Sequence, residues 1–439
     1  MKIVFSMAAV AGVLYGFGVG TVVAVATPYL ERTCNFTPVQ MSTIVAAAMI
    51  ASGVTTFLGG PMAELWGRRR SITWAAFGYA LGTPLICFSG GSYALIVCGL
   101  AIQGLAMGQH GVVVPLYLAE VLPPAVRGRG AGVFQMFIIG GILVSGLVGL
   151  VAAYVFGAAD AATTPTETCA LAWKCIFAVV AVPALALFAM GRFLPESPEW
   201  LAKRANVQKK GASLETAPGR SDGGPLLRKR YVVPFLVVVA LLSCQQGMGM
   251  NSLLGYSVKI FGASGLAGAF ANWADLSFKV VMLAMTALAC ALVDRKGRRF
   301  LLRIGTAGCA IGLAGIVAAF FALDHGIVQP STASGVVVTV CTTVFIAAYA
   351  LGPGVCVWLV MTELLPSRIR AVGLGAALLF DYCISAGLQS VFLPFTQRFG
   401  FWPFFAIMAS AAVAYFILAT FFIPETKGKT LEEIEEYFK

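Results

Sequence analysis

Twelve apolar stretches divide this chain of 439 residues, at roughly 7–30, 41–63, 71–91, 93–119, 129–156, 172–194, 232–261, 266–293, 300–323, 333–361, 371–395 and 400–423. Each is long enough to cross a hydrocarbon core of ~30 Å, which takes about 20 helical residues. Hydrocarbon offers a backbone N–H or C=O no water to bond, so only helices and closed barrels can cross it. Runs of this length are therefore read as helices. Composition agrees, with 59% hydrophobic and 11% charged residues, against the roughly 25% charged residues of a soluble globule. The expected fold class is an all-α membrane protein with twelve transmembrane helices. The first stretch is long enough to span, so no cleavable signal is needed.

A net charge of +11 would suit a nucleic-acid binder, but the placement of the charges argues otherwise. With the N-terminus in the cytoplasm, twenty-five of the thirty Lys and Arg residues fall on the inner side. Only Arg32, Lys174, Lys259 and Arg398 fall outside, and Lys279 lies within a helix. This is the asymmetry of the positive-inside rule. It puts both termini in the cytoplasm of a plasma or bacterial inner membrane, with the lipid bilayer and no nucleic acid as partner. No Cys/His spacing points to a metal, and no cofactor motif is present. Cys34 and Cys169 lie in outer loops, where an oxidising compartment would allow a disulfide. Asn35-Phe-Thr37 is a glycosylation sequon, relevant only in a eukaryotic host.

The second half repeats the first. GGPMAELWGRRR (Gly59 to Arg70) returns as LVDRKGRRFLL (Leu292 to Leu302), and PLYLAEVLPPAVRGRG (Pro115 to Gly130) as WLVMTELLPSRIRAVG (Trp358 to Gly373). Pro195-Glu-Ser197 returns as Pro424-Glu-Thr426. Three motifs recurring in order at nearly one spacing imply two six-helix halves, which build a site at the midplane and rock about it. The expected boundaries are a first bundle at 1–201, a cytoplasmic linker at 202–231, a second bundle at 232–423 and a tail at 424–439. The recurring charges read as a relay at the inner face that holds one conformation and releases it in the other. They are Glu64, Arg68, Arg69, Glu120, Arg127 and Glu196, then Asp294, Arg298, Glu363, Arg370 and Glu425. No nucleophile, base and orienter occur together, so no enzyme is implied.

The midplane chemistry centres on QQGMGMNSLLGYS, Gln245 to Ser257, within an apolar run. An unpaired amide in hydrocarbon costs on the order of a few kcal/mol, so Gln245, Gln246 and Asn251 face protein or a wet cavity. With Tyr256 beside them, these neutral donors and acceptors suit an uncharged polyhydroxylated ligand. Interhelical amide glue is the other reading. Gln135 adds a lone amide, and Tyr15 opens a glycine-rich patch. Trp358, one turn after Gly354, is either a platform for a sugar's C–H face or core packing. Three ionisable groups sit at depth. Asp381 lies about 16 Å and Lys279 about 22 Å from the inner face by helical rise, close enough in depth to pair, with Asp275 the rival partner of Lys279. His110 is either a titrating group or a histidine bonded in a helix contact.

These motifs resemble the sugar porter family of the major facilitator superfamily, the family of bacterial xylose and glucose and of animal and plant hexose transporters. Its Q-Q-x-x-G-x-N-x-x-x-Y-Y-S is matched here save for Gly255, and its P-E-S-P-R-W-L save for Glu199. Its loop signature G-x-x-x-D-x-x-G-R-[RK] has Glu64 for Asp, and its G-P-x-x-W has the proline displaced to Pro353. The chain ends on a sugar porter tail, PETKGKTLEEIEEYF. The resemblance implies transport of a monosaccharide or sugar-like polyol by alternating access. Gln135, Gln245, Gln246, Asn251, Gly354 and Trp358 would be binding residues, with Tyr15, Tyr256, Asp381 and Lys279 added. Lys279 is three residues before Met282, which stands where the family has a sugar-binding Asn. The family's helix-1 Asp and helix-4 Arg become Gly18 and Leu100, so the usual proton-coupling pair is missing and facilitated diffusion is expected. One chain is taken as the working unit. The alternatives are proton symport of an acidic sugar, with Lys279 reading the anion and Asp381 or His110 taking the proton, and a non-transporting sugar sensor.

Overall fold

The computed structural model describes residues 2–157, 164–210, 229–366, 369–425 and 433. α1 (Lys2–Gly16) and α2 (Val22–Cys34) make one span, with a π-helical turn at Phe17–Thr21 between them. α3 (Pro38–Trp66), α4 (Arg68–Cys87), α5 (Tyr93–Val121) and α6 (Pro124–Val155) follow, and α7 (Thr166–Ala178) with α8 (Ala181–Met190) completes the first half. After the short α9 (Pro198–Lys210) come α10 (Lys229–Gly247) with α11 (Met250–Ala263), α12 (Ala269–Lys296) and α13 (Arg298–Asp324). α14 (Thr332–Leu351) with α15 (Pro353–Leu364), α16 (Arg370–Phe399) and α17 (Trp402–Phe421) close the chain.

Eleven of these spans are long and apolar enough to cross a membrane. The twelfth, α4, is diluted by an arginine run and by Thr73, Thr83 and Pro84. Its 20 residues still reach about 30 Å, enough for a crossing. Capping residues set some of the helix starts. Thr37 with Gln40, and Ser331 with Ser334, form reciprocal capping boxes at α3 and α14. Cys34 and Cys169 are free thiols.

Two spans of the second half are broken where the sequence places glycine. Gly249 has φ 72°, and a Cβ there would lie 2.1 Å from Met408 Cε. Only glycine combines that left-handed backbone with so close an approach. The break ends α10 after the Gln245–Gln246 pair and turns Asn251 into the first turn of α11. Pro353, which lacks an N–H, opens α15 after the non-helical Gly352.

The repeated motifs build the same structure at one end of each half. Gly67 (φ 92°) and Gly297 (φ 89°) turn the chain between α3 and α4 and between α12 and α13. In the first half, Glu196 Oε1 accepts the backbone N–H groups of Arg68 at 2.9 Å and Arg69 at 3.0 Å. In the second, Glu425 accepts those of Arg298 at 3.1 Å and Arg299 at 3.2 Å. A carboxylate at a helix N-terminus satisfies orphan N–H groups and complements the dipole. Arg68 then makes a two-pronged bond to Glu120, Nε to Oε2 at 2.9 Å and Nη2 to Oε1 at 2.8 Å, and reaches Glu64 at 2.7 Å. Its counterpart Arg298 meets Glu363 at 3.5 Å.

The structure places other expected residues as follows. Arg69 donates to the carbonyls of Gly191 and Arg192, not to Glu64, because Glu64 lies one turn from Arg68 on the same face. Glu120 is held by Arg68; the side chains of Arg127, Asp294 and Arg370 lie outside the described residues. Of the linker expected at 202–231, its start belongs to α9 and its end to α10, while 211–228 lie outside the described residues, as does the tail after Glu425 except Glu433.

Side-chain bonds join the two halves at mid-depth and at the end opposite the arginine clusters. They run from Tyr15 to Tyr382, Ser42 to the Leu393 N–H, Tyr154 to Trp273 and Glu31 to Lys259. Toward the cluster end, Val54, Phe57, Leu58 and Leu65 of α3 are exposed.

Arg68 is buried and Glu120 is nearly so, at 1% and 6% side-chain exposure. Arg68→Met therefore strands a buried carboxylate, and stability should fall by on the order of 3–5 kcal/mol. Thermal unfolding in detergent checks this; Arg68→Lys should lose less but not recover fully, since an ammonium cannot make the two-pronged bond.

Candidate substrate site at the midplane

The amides that open the second half are bonded in two neighbouring sets, one between α10 and α14 and one among α10, α11 and α16. Gln245 Nε2 donates to the Tyr349 hydroxyl at 2.7 Å. Gln246 Nε2 donates to Asp381 Oδ2 at 3.0 Å. Asn251 Nδ2 donates to Gln246 Oε1 at 3.1 Å and to Ser385 Oγ at 2.9 Å. The order follows from the break at Gly249, which folds Asn251 back toward Gln246. Not every atom is used. Gln245 Oε1 and Asp381 Oδ1 are buried without a hydrogen-bond partner among the described residues. Buried polar atoms normally have partners, and adjacent Gln245 and Gln246 bring these two open oxygens to the same stretch of α10 and its neighbours.

Around the network the other expected residues fall into place unevenly. Tyr15 and Tyr382 share a hydroxyl–hydroxyl bond of 2.9 Å across the two halves. Gly354 sits under the Tyr349 ring: a Cβ there would lie 3.2 Å from Tyr349 Cε1. Its absence lets Tyr349 reach Gln245. Trp358 is 39% exposed, so it is not a core-packing indole. Gln135, on α6, is half-buried. Tyr256 departs from its expected role. It is buried, donates to the Gln389 carbonyl at 2.9 Å and stacks on Phe392 at 4.4 Å, which leaves its hydroxyl occupied. Tyr349 and Ser385 were not singled out from the sequence. The available signal was a tyrosine and a serine deep in apolar helices, where a hydroxyl must find a partner.

The expected pairing of Lys279 with Asp381 is not made. Lys279 Nζ binds Asp275 Oδ2 at 2.7 Å, both side chains fully buried, and Ser257 donates to Asp275 Oδ1 at 2.5 Å. One helix already places the i, i+4 pair, whereas α12 packs on α6, α11 and α14 while α16 packs on α3 and α10. Gly146 of α6 lies directly over the pair, its Cβ position 3.1 Å from Lys279 Cδ. Lys279 is thus closed off from a ligand in this conformation. His110 bonds the Ile72 carbonyl at 3.2 Å and stacks on Tyr79, which is the helix-contact reading. Gly18 and Leu100 line one small cavity with Tyr79 and Gln103, so the two departures from the family pattern are neighbours in space. A roomier cavity, about 410 Å³, lies elsewhere, beside Glu31 and Lys259, with Asn272 and Gln397 in its wall.

With this geometry in hand, comparison with known proteins is direct. The "Sugar (and other) transporter" family model matches residues 4–438, and the chain belongs to that family. The plastidic glucose transporter 4 of Arabidopsis thaliana is 28% identical, over 98% of this chain and 79% of its own. The glucose transporter GlcP of Staphylococcus epidermidis (strain ATCC 12228 / FDA PCI 1200) is 27% identical, over 99% and 96%. A solved structure of the xylose transporter XylE from E. coli, in an inward open conformation, superposes with a TM-score of 0.80 at 24% identity, covering 99% of both chains. The fold is that of the major facilitators, two six-helix halves. The protein is a multi-pass membrane transporter and not an enzyme.

Breaking a buried ion pair costs more than removing it. Lys279→Met or Asp275→Asn alone should lower folded yield and stability, and the double variant should recover much of both. Combining Lys279→Met with Asp381→Asn should bring no recovery beyond additivity. Size-exclusion profiles and melting of the five proteins decide between the partners.

Proposed function

We propose that this protein carries a monosaccharide, a hexose or pentose, or a sugar-like polyol across its membrane by alternating access. The observation that carries the reading is the pair of hydrogen-bonded sets, Gln245 with Tyr349 and Gln246 with Asn251, Ser385 and Asp381, in which Gln245 Oε1 and Asp381 Oδ1 are buried without a partner among the described residues. Sugar hydroxyls both donate and accept, so they complete such a set where a hydrocarbon ligand would leave it unsatisfied. The exposed Trp358 supplies an apolar face for the sugar's C–H groups, and half-buried Gln135 of α6 is the amide the first half would add. The glucose and xylose specificities in the relatives' names support the same class.

Further parts of the reading concern topology and cycle. Both termini face the cytoplasm, with bundles at 1–201 and 232–423 joined by a linker at 202–231. The end bearing the Arg68 and Arg298 clusters is then the inner face. Bonds between the halves at mid-depth and at the other end describe a carrier closed to the outside and open inward. The clusters on Glu64, Arg68, Glu120 and Glu196, and on Arg298, Glu363 and Glu425, hold each half rigid at that face. Facilitated diffusion is favoured over proton symport, because Gly18 and Leu100 put no charge in the small cavity they share. The acidic-sugar reading loses its anion reader, since Lys279 is already bound to Asp275.

Uptake by proteoliposomes of a panel of hexoses, pentoses, polyols and sugar acids tests this. A neutral sugar should equilibrate but not accumulate when a pH gradient is imposed; accumulation driven by the gradient would establish symport. Gln246→Ala should weaken affinity by about one to two decades, the worth of ~1–3 kcal/mol for a lost bond to a buried partner. Unchanged affinity in Gln246→Ala and Asn251→Ala would reassign the amides to structural glue.

A further inference from the structure

Asp381 is 3% exposed, in the middle of a transmembrane helix, and its surroundings are one-sided. Asn251 Nδ2 donates to Gln246 Oε1, and Gln246 Nε2 in turn donates to Asp381 Oδ2. That is the only donor Asp381 has among the described residues; Oδ1 is buried with none.

Among the described residues no cation is bonded to it. Lys279 is held by Asp275 on α12, Lys259 by Glu31 on the α11 and α2 ends, and Arg298 is engaged with Glu363 beside α15. His110 on α5 is turned to the Ile72 carbonyl. The titratable groups nearest are tyrosines. Tyr349 of α14 accepts from Gln245, Tyr15 of α1 and Tyr382 of α16 bond each other, and Tyr415 lies on the adjoining α17. α3 brings Gly53 against Tyr382, its carboxylate Glu64 being at the far cluster. Asp381 lies within electrostatic reach of Tyr349 and Tyr15.

An ionised carboxylate that is buried with one neutral amide donor and no cation bonded to it among the described residues is poorly compensated. A carboxylic acid fits it well: the carbonyl oxygen Oδ2 accepts from Gln246, and Oδ1–H becomes a donor in need of an acceptor. We propose that Asp381 binds the sugar as the neutral acid, donating its Oδ1 proton to a sugar oxygen, while the free Gln245 Oε1 accepts from a sugar hydroxyl. This rests on the sugar-transport reading and adds to it the protonation state and direction of the bonds. Below the pH at which Asp381 loses its proton, the proton stays on through the transit in both directions, loaded or empty, and transport there is not proton-driven. Above that pH, sugar binding and proton binding are linked, and affinity falls as the proton is lost. Protonated, the acid presents the same donor and acceptor as a side-chain amide.

The test uses the full-length purified protein, with glucose and xylose as probes. Infrared difference spectra of wild type and Asp381→Asn report a protonated carboxyl directly, and equilibrium binding is measured for wild type, Asp381→Asn and Asp381→Ala from about pH 5 to about pH 9. Expected is a protonated-carboxyl C=O band that sugar shifts and that Asp381→Asn lacks. Asp381→Asn should bind within about threefold of wild type and show no change with pH, and Asp381→Ala should bind weakly throughout. Wild-type affinity should hold while the band persists and fall about tenfold per pH unit once it is lost, because the binding form is the protonated one. A carboxylate band in its place, affinity that rises with pH, or Asp381→Asn binding as poorly as Asp381→Ala would each overturn the proposal. Failure of every form to bind any sugar would fall on the transport reading instead, and the band of the sugar-free protein would still report the protonation state.

Discussion

Inside a bilayer a polar side chain has only protein for a partner, and the arrangement of this molecule depends on how that demand is met. Where it is met completely, the group is structural. Arg68 spreads its guanidinium over Glu120, Glu64 and the Ala63 carbonyl, leaving little to offer a ligand. The Lys279–Asp275–Ser257 set is likewise closed. The amide sets are different, because Gln245 and Asp381 each keep one buried oxygen without a partner among the described residues.

The two halves use one design with unequal tightness. Both cap a helix start with a carboxylate from a later segment, Glu196 or Glu425, across a glycine turn. In the first half the adjoining Arg–Glu bond is short and two-pronged; in the second the pair is 3.5 Å apart and partly exposed. Rigid ends suit a rocking motion, since each bundle must move as a body while the seam rearranges. At the seam, Gly146 lies over Lys279, Gly53 against Tyr382, and Tyr15 bonds Tyr382.

Much of this was legible in the chain. Helix number and the internal repeat follow from apolar length and recurring motifs, because a bilayer admits few alternatives to a helix. The QQGMGMN stretch announces polar chemistry at depth, and Gly249 within it foretells the break that folds Asn251 onto Gln246. Partners were less legible. Lys279 faces Asp275 and not Asp381, although both acids suit it by depth, because depth along the membrane says nothing about which way a helix is turned. Tyr256 looked like part of the ligand set and is occupied by the Gln389 carbonyl, while Tyr349, unremarked in sequence, holds Gln245.

The sequence by itself determined the membrane class, the two-half architecture, the family and the identity of the amide stretch, all of which depend on local composition and on order along the chain. Only the tertiary structure decided which polar atoms meet and which are left open. That outcome depends on the rotation of each helix about its axis, which α6, α12, α14 and α16 settle together through packing between residues more than a hundred positions apart, as in Gln245 with Tyr349 and Gln246 with Asp381.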